Sequence, residues 1–579
     1  MGTISDKLMR IINTKEDIRQ ALISKGYDVP TSIPFKEYAK MISDLPCRVD
    51  SFPDIEGIVA RYSALGLTNE QMAANPVWVD KTGNGHDLQM KNFAWGGMSG
   101  VGGYSDNFSS DSWKKPSDRS DITWTSSSFN ITRVMNTGVQ IYYHSAWEES
   151  ESVIPEKRII VKGLEDGQVL RYMNVGNRII EISQDGIYTI PSFTFKGANS
   201  YHGYSLAKKQ ESCNVTVEQL PLYPGALVFD GVDDYGACDN LPILTKEKGY
   251  TVVALRQWDQ DFLNTTLTGG LLSTRNYSTG EGVAFEKIES SNKGYWNLGA
   301  GGIIDFAKSP FTWQTSKQYN NVGILKGDKN HGKPLCVGCG LSGGQQCGRF
   351  AIWELVFLDH DATEEELTKI KDYFVKTYPW LFPDQAWTVV GKTNEDEDRA
   401  TIANITGNGN DLILSNFGFI EGSGYNEEGE YAGYLVTDGV DDKIVSSVFG
   451  MGKDFTIVGD WKLINTGKND NAGIVKFDSI VIYNYNPILI NIKNGRNNLI
   501  PDQNTVNAIC SDGRIYSKDW KESIYNEETE STSKNLLTIG YSGNIYTKIA
   551  FKNLAIYPTV LSKEDCIKAY NYLQTLKAK

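Results

Sequence analysis

Three carboxylates within five positions form the densest chemistry-bearing pattern in the sequence, and the pattern occurs twice: Asp230, Asp233 and Asp234 in one DGVDD, Asp438, Asp441 and Asp442 in another. Clustered carboxylates are hard-oxygen donors of the kind calcium takes. Their spacing lacks the regular ligand ladder of a dedicated calcium loop, so the simpler reading is a turn tied down by side-chain to backbone hydrogen bonds. No cofactor is expected, and calcium is the one ion for which the donors are present. A second candidate, Cys336, Cys339 and Cys347 with His331 nearby, has CVGC spacing but no second CxxC, and CVGC falls where a strand is expected, which argues against zinc.

Catalysis finds less support. A glycoside hydrolase needs two carboxylates facing one sugar bond, usually alternating along a strand, and no E-x-D-x-E or E-x-D-x-x-E run occurs. The acidic run Glu395 to Asp398 reads as a solvated loop, and the five histidines, His86, His144, His202, His331 and His360, are scattered, with no nucleophile, base and orienter assembled around any of them. No catalytic residues are assigned, and the chain is expected to be a non-enzyme. Aromatic residues suit a sugar-binding face, and Tyr104, Trp113, Tyr277, Tyr295, Trp296 and Trp313 lie in Gly-, Ser- or Asn-rich stretches. Each is better explained as packing, so no sugar site is assigned to them.

The 579 residues carry 57 Lys and Arg against 71 Asp and Glu, a net charge of −14 with no basic stripe, which makes nucleic acid an unsuitable partner. The first ten residues, MGTISDKLMR, are polar, and no later stretch approaches 18 uninterrupted apolar residues, so neither a secretory signal nor membrane insertion is expected. Eight irregularly spaced cysteines fit synthesis in a reducing compartment.

The elements that would position these residues come as a duplication. TGNGHDLQMKNF from Thr82 matches TGNGNDLILSNF from Thr406, LVFDGVDD from Leu227 matches LVTDGVDD from Leu435, and FAIWELVFLDHDATEEELTKIKDYF from Phe350 matches IAFKNLAIYPTVLSKEDCIKAYNYL from Ile549. The order is preserved, so one fold is present twice. Tyr104 to Leu227 spans 123 positions where Tyr425 to Leu435 spans 10, which places an inserted domain of about 113 residues in a loop of the first copy.

The repeats carry short strands such as TVVAL at Thr251 and TIVGDW at Thr456, and in the insert Asp166-Gly167 and Asp185-Gly186 read as hairpin turns. Only the repeat ends read as helical, with Thr363 and Ser562 as N-caps and Glu366 and Asp565 three residues on. Residues 1–46 differ, with three short amphipathic helices around Ile11, Ile18 and Tyr38 that are too small to be stable alone and therefore rest on the remainder of this chain, another copy or a different protein; the pattern fits a docking role and a simple capping subdomain equally. The organisation expected is 1–46 as a helical docking head, 52–104 plus 223–380 as a first β-sandwich, 105–222 as an inserted β-sandwich, and 385–579 as a second copy of the first.

The pairing of a TGNGxD turn with a later LxFDGxDDY strand and turn, ending in a strand and short helix, resembles the concanavalin A-like jelly rolls of the laminin G-like superfamily. The head segments TKEDIRQALISKGYDVP and PFKEYAKMI resemble N-terminal segments on structural proteins of tailed bacteriophages of gut Bacteroidales, including crAss-like phages. The resemblance implies a mainly β protein with two concanavalin A-like jelly rolls, one carrying an inserted β-sandwich, behind a small helical head. It implies a virion fibre or other tail or head appendage, assembled in the host cytoplasm. Its partners would be other virion proteins through residues 1–46, a host cell-surface glycan, and further copies of the chain. With no long coiled-coil heptads, a homo-oligomer would form through the head or the sandwich faces. The alternative is a bacterial carbohydrate-binding adhesin or glycoside hydrolase of the same fold.

Overall fold

A computed structural model describes Phe52 to Ala578 apart from scattered loop and strand-end positions, the longest being 275–283, 316–334, 465–472 and 525–534; before Phe52 it describes only Lys15 and Arg19, both helical. The expected helical head therefore lies outside the described residues. The chain divides into two units, one of 1–54 with Thr368–Tyr373 and one of Ile55–Leu367 with Phe374–Lys579. In the first, the Phe52 and Tyr373 rings meet edge-on at 4.9 Å. The second unit holds the β-sheets.

This unit is mainly β, as expected, and the duplication extends to strand order. In the first copy one sheet runs Gly100–Val101, Leu227–Asp230, Arg349–Leu358, Thr251–Trp258, Phe311–Thr315, with Ile58–Ser63 also paired to Arg349–Leu358. In the second copy Gly424–Asn426, Tyr434–Val436, Ile549–Tyr557, Thr456–Leu463 and Val506–Cys510 repeat that order, with Gln385–Thr388 on Ile549–Tyr557. Both long central pairings break register at matching places, Leu255/Arg256 and Asp460/Trp461. The facing sheets also agree strand for strand, from Val77–Trp78 to Ile303–Asp305 and from Thr401–Ile402 to Arg496–Ile500.

Alternation drives the sheets together. Leu88 and Met90 point inward while Gln89 and Lys91 stay exposed, as Leu412 and Leu414 do against Ile413 and Ser415. The long central strands, covered on both faces, are apolar almost throughout. Each copy thus closes one core between its two sheets, around Trp78, Phe229, Trp258 and Phe350 in the first and Trp387, Leu435, Trp461 and Phe551 in the second. A third core, around Phe129, Ile159, Tyr172 and Tyr204, lies between two five-stranded sheets of the insert.

The insert corrects the hairpin reading. Lys157–Lys162 and Leu170–Asn174 flank Asp166-Gly167 yet lie in different sheets, as do Asn177–Ile182 and Gly186–Ile190 around Asp185-Gly186. Both Asp-Gly turns are arches that carry the chain from one sheet to the other. The Asp185 carboxylate binds the first arch by accepting 2.8 Å hydrogen bonds from the Gly163 and Leu164 N–H groups. Two short helices in the first copy, Asn69–Ala74 and Gln260–Leu263, also go beyond the expectation that only the repeat ends are helical; Thr68 caps the former by accepting from the Gln71 N–H, and Met72 buries its apolar face.

Both expected terminal helices form. Glu364–Thr377 has a complete capping box between Thr363 and Glu366, and Ser562 caps Lys563–Leu573 by accepting from the Asp565 N–H. The latter helix does more than close its own sandwich. Its Cys566, Ala569, Tyr570 and Leu573 share the spacing of one buried stripe, but Asn571 and Tyr572 are buried as well. Those two face the other modules. Asn571 Oδ1 accepts a 2.7 Å hydrogen bond from Arg158 of the insert, whose guanidinium lies 4.1 Å over the Tyr570 ring. Tyr572 meets Trp353 of the first sandwich edge-on at 6.4 Å, and Lys568 lies over Trp380 at the end of the first copy. Just past the helix, Thr575 accepts from Gln257 and Lys577 pairs with Asp261, both of the first sandwich.

A charged cluster completes the junction of insert and second sandwich. Glu156 lies 3.7 Å from Arg158 and 3.5 Å from Lys552, and those cations, with Lys462, hold its carboxyl below the usual range against the opposing effect of burial. Arg158→Ala leaves Asn571 and half-buried Glu156 short of a partner and is expected to cost about 2–3 kcal/mol. Urea unfolding of the full chain checks this, with faster amide exchange expected in both Lys157–Lys162 and Lys563–Leu573.

Candidate functional site

The acidic turns sit where the chain crosses between sheets. Leu227–Asp230 belongs to one sheet and Tyr235–Cys238 to the other, so 231–234 form an arch at the sandwich rim; in the second copy the arch joins Tyr434–Val436 to Lys443–Phe449. The arch needs a glycine, since Gly231 has a φ of +79° and a Cβ there would fall 2.8 Å from that of Arg349.

The three aspartates of each arch come together as expected, with ligand-capable oxygens within 4.8 Å of one another. Asp234 is fully buried; it accepts from the Ser99 hydroxyl at 2.9 Å and from the Asp230 N–H at 3.0 Å. Asp442 does the same with Ser423 at 3.1 Å and Asp438 N–H at 2.7 Å. Asp230 and Asp438 in turn accept from the N–H groups of Val232 and Val440. A neighbouring arch is tied in, because Asn92 and Asn416, both with positive φ, donate to the Asp233 and Asp441 carbonyls at 3.0 Å.

Burial and the adjacent carboxylates push Asp234 up to about 7 and Asp442 up to about 6. A calcium ion wants six to eight oxygens. With both Asp234 oxygens and Asp230 Oδ1 already accepting hydrogen bonds, the cluster offers few donors, and the carboxylates fit a brace better than a cage. Millimolar calcium at pH 8, where Asp234 is ionised, is expected to move the melting temperature by less than about 1 °C; a rise of several degrees would show that the arches bind it.

The TGNG turns are hairpin ends braced by the same logic. Gly83, Gly85, Gly407 and Gly409 have φ between 75° and 81°. The Asn84 and Asn408 side chains donate to the carbonyls of Val59 and Asp384, and the Tyr62 hydroxyl and Trp387 indole N–H reach the equivalent carbonyls of His86 and Asn410. What the pattern did not reveal is the tip of each arch: Val232 and Val440 are 73% and 70% exposed, while the carboxylate two positions on is buried.

The other candidates disperse. Cys339 and Cys347 form a disulfide and Cys336 is a buried thiol pushed up to about 12, so CVGC is no zinc site; His331 and Tyr277 lie outside the described residues. Trp113 is buried in the insert core and Tyr104 is half-buried. Tyr295, Trp296 and Trp313 are placed in strands without described side chains. Glu395, Glu397 and Asp398 are exposed, Asp398 pairing with Lys392.

A buried polar chain in the insert was not anticipated. Asp106 pairs with Lys157 at 2.6 Å, Lys157 reaches the Tyr172 hydroxyl at 3.1 Å, and that hydroxyl meets His202 Nδ1 at 2.6 Å. Burial and the Lys157 ammonium lower His202 to about 3, so it stays neutral near pH 7, enclosed by the rings of Trp113, Tyr143 and Phe195. It orders a core and lacks the access a base requires.

No family model and no curated protein matches the chain. Among solved structures, similarity is found to the receptor-binding domain of botulinum neurotoxin type G (14% identity, 32% of this chain and 50% of that one, TM-score 0.21). It is also found to a Trypanosoma rangeli sialidase in complex with sialic acid (8%, 82% and 98%, 0.24) and to the receptor-binding domain of the botulinum neurotoxin C/D mosaic serotype (9%, 58% and 88%, 0.22). The chain spans about half the length of the type G domain.

Proposed function

We propose that the chain is a non-catalytic virion appendage protein of a tailed phage, anchored by residues 1–46 and presenting its three β-sandwiches to the host surface, where a glycan is the partner class. The observation that carries this reading is the C-terminal helix of the second sandwich, whose side chains touch the insert and the first copy at once. A display body gains from such locking, because rims held in fixed relation can engage a surface together and several copies on one particle add avidity. The aspartates that could have served chemistry are engaged in bracing the arches. The resemblance of the head to phage structural proteins supplies the anchoring role, and homo-oligomers would form through the head or the sandwich faces. Quantitative mass spectrometry of purified particles tests the reading: stoichiometric copies are expected, and absence from particles would overturn it.

A second reading, an exported bacterial adhesin or hydrolase, draws on the Cys339–Cys347 disulfide, since such bonds persist in oxidising surroundings. Among the described residues no helix is long and apolar enough to cross a membrane. Recovery of the chain from the medium of uninfected cells would favour this second reading.

A further inference from the structure

The second sandwich holds two buried thiols in contact. Cys510 ends strand Val506–Cys510 and Cys566 lies in the first turn of helix Lys563–Leu573; both are fully buried, and their side chains hydrogen-bond each other. The segment between strand and helix is tied to the same spot. Thr456 Oγ1 donates to the Thr559 carbonyl at 2.8 Å, accepts from the Leu561 N–H at 2.9 Å and lies 3.8 Å from Cys510 Sγ, while Arg514 Nη2 donates to the Leu561 carbonyl at 3.0 Å. The Arg514 guanidinium lies near enough to favour a thiolate on either sulfur.

We infer that Cys510 and Cys566 are a latent disulfide that staples the C-terminal helix to its sheet once the protein meets an oxidising medium. The oxidant is a low-molecular-weight disulfide of the glutathione class. One of the two cysteines, as its thiolate, attacks one of the oxidant's sulfurs and expels a thiolate, forming a mixed disulfide; the other cysteine, deprotonated, then attacks that protein sulfur and expels the second. Two protein thiols lose two electrons and two protons, and one small disulfide becomes two small thiols. Both sulfurs are buried, so exchange proceeds through local opening of the helix, and closure afterwards shields the bond from reductants. The staple closes a chain segment of more than fifty residues and secures the helix that contacts the other modules. A protein assembled in a reducing cytoplasm would thus tighten after release.

The test uses the full chain, purified reduced and then equilibrated in oxidised glutathione. Non-reducing peptide mass spectrometry is expected to find Cys510 linked to Cys566, and the melting temperature to rise by about 3–5 °C, on the scale of a disulfide closing a loop of this length in a body of this size that unfolds as one. Cys566→Ala and Cys510→Ser should each lose that rise while melting near the reduced wild type, and any contribution of Cys339–Cys347 survives in both. If Cys510 and Cys566 remain open to alkylation after unfolding of the oxidised sample, or if the rise is unchanged in Cys566→Ala, the inference fails.

Discussion

Tyr572→Ala is expected to destabilise the protein by about 3–5 kcal/mol, the scale of deleting a large buried side chain. Tyr572 is 3% exposed, on a helix whose inner stripe already serves the second sandwich, and its ring meets Trp353, a core residue of the first. The buried guanidinium of Arg256, lowered to about 9 by desolvation, lies close enough to feel it. Truncation therefore opens a cavity at a junction of two modules rather than inside one. Chemical denaturation should show both the lost stability and a transition that splits, because the sandwiches no longer unfold together. A loss below about 1 kcal/mol with a single sharp transition would mean that the helix does not couple them.

The acidic arches are expected to make the protein less stable as pH rises from 5 to 8. In the folded state Asp234 and Asp442 titrate near 7 and 6, above the ordinary aspartate value of about 3.9. A carboxyl whose pKa is raised by folding contributes stability that is fully present below the unfolded value and is lost as pH climbs through the folded one. For the pair the loss is on the order of 3 kcal/mol between pH 5 and pH 8. Asp234→Asn with Asp442→Asn keeps an acceptor for each backbone N–H and can turn its amide to the serine hydroxyl, so the double variant should flatten this dependence and be the more stable protein at pH 8. Thermal melts at the two pH values decide it; parallel profiles for wild type and variant would show that these carboxylates are ionised throughout.

The legible part of this molecule is what local chemistry repeats. Two copies of TGNG and DGVDD, each with its glycines and capping side chains, announced a duplicated β fold, and Thr363–Glu366 and Ser562–Asp565 announced the helices, because caps and tight turns are determined within a few residues. The arches at Asp166-Gly167 and Asp185-Gly186 were misread since an Asp-Gly turn has the same composition whether the chain returns in its own sheet or crosses to the facing one. The roles of Asn571, Tyr572 and Arg158 were invisible because their partners lie hundreds of positions away. Likewise Val232 and Asp234 invert the usual rule, the valine standing out and the aspartate buried, since the arch orients its backbone donors inward.

The claim on which the display reading rests is that the three sandwiches form one rigid body. Spin labels at exposed positions, Val79 in the first sandwich, Asp166 in the insert and Ile524 in the second, allow pairwise distances to be measured by pulsed electron resonance on the full chain. One narrow distance is expected for each pair, with the Asp166 to Ile524 distribution broadening in Arg158→Ala. Broad or multiple distances in the wild-type protein would contradict the account and leave three sandwiches moving independently on a tether.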